Sequence, residues 1–309
     1  MKFKKANKMK RKIVTSAVLI ISLNASVFAG KIKVVTTTTD MKSITELIGG
    51  SNVAVTSIAT GYQNPHFVDP KPSYIIGLSS ADLFVTVGLD LETGWSPQLL
   101  TSSRNAKIQK GSAGYVDASI GVSLLQVPVS ANRGEGDIHI FGNPHYWLDP
   151  LNGKIIARNI ANGLERIDPA NKNMYETNLN KFNLQIDLKM KEWQSKMSEF
   201  KGEKIIAYHN EWCYFETRFG LHIVDFMEPK PGIPPSPSQL VKVINEVKSN
   251  NIKLIISSPY FTTSSSNVVA KQTGAKQLIL ATSVGAFDKI TNYFELFDYN
   301  IVQITDAIK

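Results

Sequence analysis

Residues 169–200 read PANKNMYETNLNKFNLQIDLKMKEWQSKMSEF, and this stretch decides the fold. Its large apolar side chains recur every three or four residues, the period of one face of an α-helix: Tyr175, Leu179, Phe182, Ile186, Met190, Trp193 and Met197. Asp168-Pro169 predicts the start of this helix and Gly202 its end. At 1.5 Å per residue the helix would be about 45 Å long, enough to link two lobes rigidly. The alternative is two helices that break near Asn183.

Short β-branched runs lie on both sides of this helix and alternate with segments of helical period. The predicted strands are 32–37, 53–58 and 83–87 before the helix, and 204–208, 222–225, 254–257 and 277–280 after it. Helices are predicted between strands at 41–48 and 237–249. Such alternation is typical of parallel sheets covered by helices on both faces. We therefore predict an α/β fold of two doubly wound parallel-sheet lobes, residues 30–168 and 202–309, joined by a long rigid linking helix, residues 169–201.

The first 29 residues have the pattern of a secretory signal peptide. Seven basic side chains between Lys2 and Lys12 precede an apolar run at 13–23, and Ser26-Val-Phe-Ala29 offers small residues at the cleavage positions, which predicts cleavage after Ala29. The apolar run is shorter than the roughly 20 residues needed to span a bilayer, which disfavours a permanent anchor. No cysteine lies near the cleavage position, so lipid attachment there is not expected. We predict a periplasmic product.

The net charge of +8 belongs mainly to this segment. The segment holds seven of the 34 lysines and arginines and none of the 26 acidic residues, so the remaining chain has 27 basic against 26 acidic side chains. A balanced charge gives no indication of a nucleic-acid partner.

We expect the protein to be a monomer. Its one cysteine, Cys213, excludes an internal disulfide and is expected to be a buried small apolar residue.

Three of the five histidines lie in loops beside a proline or directly after a predicted strand: His66, His145 and His209. His209 follows strand 204–208, and ligands of doubly wound sheets bind beyond the carboxyl ends of strands. The repeated Asn-Pro-His before two of these residues indicates one local conformation used twice. Gaps of 79 and 64 residues match no compact metal motif, so spacing leaves open whether the three are ligands or structural residues.

Four segments resemble the zinc and manganese solute-binding proteins of bacterial ABC transporters: Asn64–His66, Asn143–Pro150, Tyr208–Leu221 and Glu228–Ser236. The resemblance runs from Val34 to Tyr299. In that family two α/β lobes are joined by a long helix and hold a metal ion in the cleft between them. The resemblance therefore implies that His66 and His145 are metal ligands from the N-terminal lobe and that His209 is the ligand from the C-terminal lobe.

The fourth ligand of the family does not transfer to this sequence. Many members have a carboxylate two residues before the aromatic residue that opens the last helix, and that position, ahead of Tyr293, is Thr291. Asp288 in the same loop, Glu211 and a water molecule are the remaining candidates.

Two further positions depart from the family pattern. Ser258 stands where many members have a glutamate before Pro-Tyr-Phe. Many zinc members also carry a long histidine-rich loop before the second ligand, whereas residues 127–142 contain one histidine, His139. Metal sequestration by such a loop is not expected here.

Donor chemistry selects among metals. Three neutral imidazoles suit zinc, copper or nickel, while manganese sites generally contain more carboxylate oxygen. Zinc is the first choice for the transported ion and manganese the second. The resemblance implies high-affinity capture of the ion and its delivery to an ABC-type permease in the inner membrane, with no catalytic residue.

Two other classes of function remain open on sequence grounds. A secreted zinc-dependent hydrolase also uses three protein ligands and an open fourth position, with Glu211 or Asp288 as its general base. No H-E-x-x-H motif supports this alternative. A metal-independent adhesin or binding protein for an organic solute would leave the histidines structural and line its cleft with Trp95, Trp147 and Trp212.

Overall fold

The computed structural model describes residues 30–129 and 139–309. The predicted signal peptide, residues 1–29, lies outside the described residues. Within the described ranges, no helix combines the length and the apolar character needed to cross a membrane.

The N-terminal lobe is built on a parallel sheet with the strand order β2-β1-β3-β4. Its strands are β1 Ile32–Thr36, β2 Val53–Ser57, β3 Leu83–Thr86 and β4 Tyr115–Asp117. Its helices are α1 Thr39–Gly49, α2 Pro72–Ser79 and α3 Ser96–Ser103. The three predicted strands are confirmed to within one residue. Strand β4 is an addition that the sequence did not predict, because three residues are too few to show an alternating pattern.

The C-terminal lobe repeats this plan with the strand order β6-β5-β7-β8. Its strands are β5 Lys204–Ala207, β6 His222–Phe226, β7 Leu254–Ser257 and β8 Lys276–Ile279, and its helices are α6 Cys213–Phe219, α7 Pro237–Ser249 and α8 Ser264–Thr273. The predicted strands are again confirmed to within one residue, and α7 has the predicted bounds. Every residue of β7 is buried, as expected of a strand covered on both faces.

In both sheets, the order in which the chain adds strands changes side at the equivalent position. In each lobe the first strand of the sequence, β1 or β5, lies between the second and third strands, so the chain winds first to one side and then to the other. In doubly wound sheets the loops after the carboxyl ends of these neighbouring strands diverge and leave a crevice. The predicted α/β class and its two doubly wound lobes are therefore confirmed.

The long linking helix is continuous. Helix α4 (Pro150–Ile167) leads into α5 (Lys172–Met197), whose 26 residues correspond to about 39 Å of axis, and short 3₁₀ turns extend α5 at both ends. All seven apolar side chains predicted to form its inner face are buried. The helix does not break at Asn183. It packs against α1, α4 and the last helix, α9 (Tyr293–Ile308).

Hydrogen bonds near the start of α9 join the two lobes. The Tyr293 hydroxyl donates to the Trp147 carbonyl at 2.6 Å, and the Trp147 indole N–H donates to the Thr282 carbonyl at 2.8 Å. The Tyr293 backbone N–H donates to the Ser43 hydroxyl of α1 at 3.0 Å. Trp147 and Tyr293 are fully buried, so these bonds are shielded from water. The loop around residue 145 is consequently held against both lobes.

Candidate metal centre

The segment Asn64-Pro65-His66 lies in the loop between β2 and α2 and orients the His66 ring. The Asn64 Oδ1 atom accepts two hydrogen bonds, from the His66 backbone N–H at 3.0 Å and from its Nδ1 at 2.8 Å. The backbone donor identifies that side-chain atom as oxygen, and oxygen accepts only from a protonated Nδ1. His66 therefore carries its proton on Nδ1 and has an electron lone pair on Nε2.

The segment Asn143-Pro144-His145 repeats the same conformation just before α4. The Asn143 Oδ1 accepts from the His145 backbone N–H at 3.0 Å and from Nδ1 at 2.9 Å. His145 is almost completely buried, and its Nε2 has no hydrogen-bond partner within residues 30–129 and 139–309. A buried polar atom without a partner is costly, so an unprotonated Nε2 in this position indicates a ligand-binding atom.

His209 follows β5 and is oriented by a carboxylate instead of an amide. Its Nδ1 lies 2.7 Å from Oε2 of Glu228, in the loop after β6, and both side chains are buried. The same oxygen accepts the Gly232 backbone N–H at 3.3 Å. A carboxylate acceptor on Nδ1 leaves Nε2 available and raises the basicity that Nε2 would have toward a metal ion.

The three histidines come together although they are far apart in the sequence. One ligand atom from each of His66, His145 and His209 lies within 4.8 Å of the other two. The ring centroids are 5.1 Å apart for His66 and His145, 5.5 Å for His66 and His209, and 5.6 Å for His145 and His209. Two lobes therefore present three imidazoles to one point, two from the N-terminal lobe and one from the C-terminal lobe.

Burial keeps two of these imidazoles, His66 and His145, neutral. The pKa of His66 lies well below 6.5 because burial disfavours the charged ring and because His209 and His139 are close. The pKa of His145 is lowered well below 6.5 by burial, and then by the neighbouring histidines. Neutral imidazole is the form that can bind a metal ion, so His66 and His145 are in a form able to do so at neutral pH.

None of the protein candidates for a fourth ligand belongs to this group. Asp288 is exposed, and the Thr291 hydroxyl donates to Glu295 at 2.8 Å. Glu211 is fully buried and accepts hydrogen bonds from the hydroxyls of Ser258 and Tyr260, and burial raises its pKa. The described cluster of mutually facing donors comprises the three histidines alone.

A fourth histidine lies beside the cluster. The Nε2 atoms of His139 and His66 are 3.1 Å apart, and their ring centroids are 5.1 Å apart. The ring of His139 lies 6.4 Å from that of His145. A cavity of about 320 Å³ opens beside this group and is lined by His139, His145 and His209 among others.

Comparison with known families decides the class of this protein. Residues 34–307 match the family described as "Zinc-uptake complex component A periplasmic". The chain belongs to this family. As a member of the zinc-uptake component A family, it is a metal ABC transporter substrate-binding protein, which confirms the resemblance found in the sequence.

Relatives of this family member match over most of the chain. The metal ABC transporter substrate-binding lipoprotein ScbA of Streptococcus cristatus is 27% identical over 285 residues, covering 91% of this chain and 90% of ScbA. The manganese ABC transporter substrate-binding lipoprotein PsaA of Streptococcus anginosus is 32% identical over 223 residues, covering 71% and 70%. The crystal structure of ZnuA matches with a TM-score of 0.78 and 26% identity, covering 90% of this chain and 100% of that chain.

The sequence assigns no role to Glu228 or to His139 in this family member. Glu228 opens a Pro-rich segment, and a buried carboxylate becomes recognisable as the partner of His209 only when β5 and β6 are placed side by side. For His139 the sequence offers one indication: it is a histidine, and it lies six residues before His145 in the same loop.

The expectation for Cys213 is confirmed. The thiol is free and buried, and burial raises its pKa to about 12. A thiol in this state behaves as a small apolar side chain.

Proposed function

We propose that this chain captures one divalent transition metal ion, zinc in first place and manganese in second, through Nε2 of His66, His145 and His209. The observation that carries the proposal is the convergence of three imidazoles whose Nδ1 atoms each have a polar partner. With Nδ1 engaged, only Nε2 remains to bind an ion. The captured ion is delivered to an ABC-type permease in the inner membrane for import.

The donor set supports zinc over manganese. Three imidazole nitrogen atoms match the ligand preference of zinc, whereas manganese sites generally contain more carboxylate oxygens. Neither Asp288 nor Glu211 supplies such an oxygen in the observed arrangement. The name of the PsaA relative specifies manganese and that of ScbA metal in general, so the relatives' names do not choose between the two ions.

The signal-peptide pattern of residues 1–29 supports a periplasmic location. We infer that residues 1–29 direct export to the periplasm and that cleavage after Ala29 releases the mature protein as a monomer. Both relatives are named lipoproteins. This chain has one cysteine, Cys213, which is buried in α6, so it has no thiol near the cleavage position for lipid attachment.

The geometry supports transport more than a secreted zinc-dependent hydrolase. A hydrolase needs a carboxylate that faces the water bound to the metal. Glu211 accepts hydrogen bonds from two hydroxyl groups, and Asp288 is exposed outside the histidine cluster. We infer that the ion is cargo, and that it leaves the protein unchanged.

Zinc titration by calorimetry tests this proposal on the purified protein and on the variants His66→Ala, His145→Ala and His209→Ala. We expect a stoichiometry near one for the unaltered protein and a strong loss of affinity in each variant. The exposed residue His222 on β6 offers a matched control, since His222→Ala removes an imidazole outside the cluster. Zinc binding equal to that of the unaltered protein in all three cluster variants would contradict the ligand assignment.

A further inference from the structure

We propose that His139 is a fourth imidazole ligand of the same metal ion. The inference rests on the proposed function, because it adds a donor to the site formed by His66, His145 and His209. It assigns a role to a loop residue outside the group of three mutually facing donors.

The distance between His139 and His66 is that of two ligands on one ion. Their Nε2 atoms are 3.1 Å apart. Two nitrogen ligands of a tetrahedral zinc ion lie about 3.3 Å apart when each Zn–N bond is about 2.0–2.1 Å. The two histidines therefore already have the mutual spacing that shared coordination requires.

In the absence of metal, the protonation state of His66 determines which of the two rings donates this hydrogen bond. Asn64 holds the His66 proton on Nδ1, so Nε2 of His66 accepts and Nε2 of His139 donates. For an ion to bind there, Nε2 of His139 would give its proton to water while Nδ1 takes one up from water, so that the ring stays neutral and its Nε2 lone pair becomes available. The hydrogen bond thus keeps the fourth ring at the site before the ion arrives.

The His139 ring lies at the edge of the group formed by the other three rings. Four imidazoles bound through Nε2 around one tetrahedral ion have ring centroids about 5 Å apart, given the same Zn–N distances. His66 lies 5.1 Å from His139, 5.1 Å from His145 and 5.5 Å from His209. The separation of His139 from His145 is 6.4 Å, so the His139 ring must move at least about 1 Å toward His145 when the tetrahedron is completed.

The local backbone holds His139 near this place. The His139 carbonyl accepts the Gly142 backbone N–H at 3.1 Å, which closes a turn ahead of His145. Gly142 has φ of 114°, a value that favours glycine. The next residue, Asn143, donates its backbone N–H to the Leu125 carbonyl at 2.9 Å. His139 is therefore positioned by a turn that is anchored to the same segment as His145.

A fourth imidazole would make the site more selective for zinc over manganese. A set of four neutral nitrogen donors supplies no carboxylate oxygen, and this composition suits zinc and disfavours manganese. If a water molecule filled the fourth position instead, the site would have one oxygen ligand and a smaller preference. We therefore assign part of the preference for zinc over manganese to His139.

X-ray absorption of the zinc-loaded protein counts the imidazole ligands directly. We expect four imidazoles in the unaltered protein and in His222→Ala, and three in His139→Ala and His139→Asn. Calorimetry on His139→Ala and His139→Asn is expected to show zinc affinity lowered at least about tenfold, by analogy with the loss of groups that support metal ligands, while His222→Ala keeps the affinity of the unaltered protein. The ratio of zinc affinity to manganese affinity is expected to fall with it.

The outcomes separate this inference from the proposed function. Three imidazoles in the unaltered protein, with zinc affinity unchanged in both His139 variants, would overturn the role of His139 and leave the other three ligands in place. Zinc binding that survives His66→Ala, His145→Ala and His209→Ala unchanged would overturn the proposed function itself.

Discussion

The Nδ1 atom of His209 and Oε2 of Glu228 lie 2.7 Å apart, in a contact buried between the loops that follow β5 and β6. This carboxylate fixes the ring so that Nε2 faces the cluster. Loss of such a partner of a metal ligand typically lowers affinity 10- to 100-fold. We therefore expect Glu228→Ala to weaken zinc binding by about 10- to 100-fold, measured by competition with a chromophoric chelator.

The control for Glu228 is an exposed glutamate in the same chain. Glu199→Ala, at the end of the linking helix, changes charge equally without touching the site. Equal zinc affinities of Glu228→Ala and Glu199→Ala would show that the Glu228 carboxylate does not support His209.

Arg218 of α6 joins the C-terminal lobe to the start of α4 through Asp149. Its Nε and Nη2 donate to the two carboxylate oxygens at 2.7 Å each, and Asp149 is buried. Arg218→Gln leaves a buried carboxylate with weaker compensation, so we expect unfolding in urea to show a loss of about 2 kcal/mol.

The pair of Arg158 and Glu176 also has two hydrogen bonds, donated by Nη1 and Nη2, and it is more exposed, with side chains 44% and 33% exposed. Arg158→Gln is expected to cost less than about 1 kcal/mol. Equal losses for the two arginine variants would refute burial as the reason for the difference.

Gly61 lies where the loop before His66 meets the C-terminal lobe. A Cβ atom at this position would come within 2.1 Å of the Val284 carbonyl oxygen and within 2.5 Å of the Ala286 backbone nitrogen. Backbone atoms cannot turn aside as a side chain does, so Gly61→Ala must push the His66 loop away from the other lobe. We expect a loss of about 2 kcal/mol in stability, together with weaker zinc binding.

Gly77 in α2 provides the matched glycine, because a Cβ atom at this position would have no other atom within 4 Å. Gly77→Ala is expected to keep zinc affinity and to raise stability by about 0.5–1 kcal/mol. Melting curves and zinc titrations of both alanine variants check the pair, and identical behaviour would disprove the close approach at Gly61.

Asp40 gives stability an unusual dependence on pH. The side chain is fully buried in the first turn of α1, and its Oδ1 accepts the Val284 backbone N–H at 3.0 Å. Burial raises the pKa of Asp40 from 3.8 to about 7, against the smaller opposing effect of its hydrogen bonds. The folded protein thus holds a proton that the unfolded chain releases above about pH 4, so this contribution to stability is lost as pH rises toward about 7.

Asp40→Asn isolates that contribution, because asparagine keeps an acceptor for Val284 and does not ionise. Urea unfolding of the metal-free proteins at about pH 5 and about pH 8 is the measurement. We expect the variant to gain stability relative to the unaltered protein between these pH values, with an upper bound of about 3 kcal/mol, because about two pH units of the interval lie below the raised pKa of about 7. A difference between the two proteins that does not change with pH would contradict a buried, protonated Asp40.

The sequence predicts the linking helix well because one physical constraint repeats along it. Each of the residues from Tyr175 to Met197 at the predicted spacing is buried, so the helical period shows directly in the pattern of side chains. Helix α4 is harder to recognise, because Gly153 and Gly163 interrupt its apolar face. The structure explains both: a Cβ at Gly153 would come within 2.6 Å of the Tyr293 ring, and one at Gly163 within 2.3 Å of Val116.

The site is predictable only in part, because its residues meet through tertiary structure. Local sequence shows that Asn64 and Asn143 precede His66 and His145 in the same way, and the structure gives the reason in the hydrogen bond from Nδ1 to each amide oxygen. The convergence of these rings with His209 depends on how two lobes pack, and spacing of 79 and 64 residues carries no such information.

The central claim is that His66, His145 and His209 bind one ion through Nε2, and anomalous diffraction at the zinc edge from crystals of the zinc-loaded protein tests it most directly. We predict one strong anomalous peak in the cleft, about 2.0–2.1 Å from each of the three Nε2 atoms. A zinc peak elsewhere in the molecule, with the three Nε2 atoms unbonded to metal, would contradict the account.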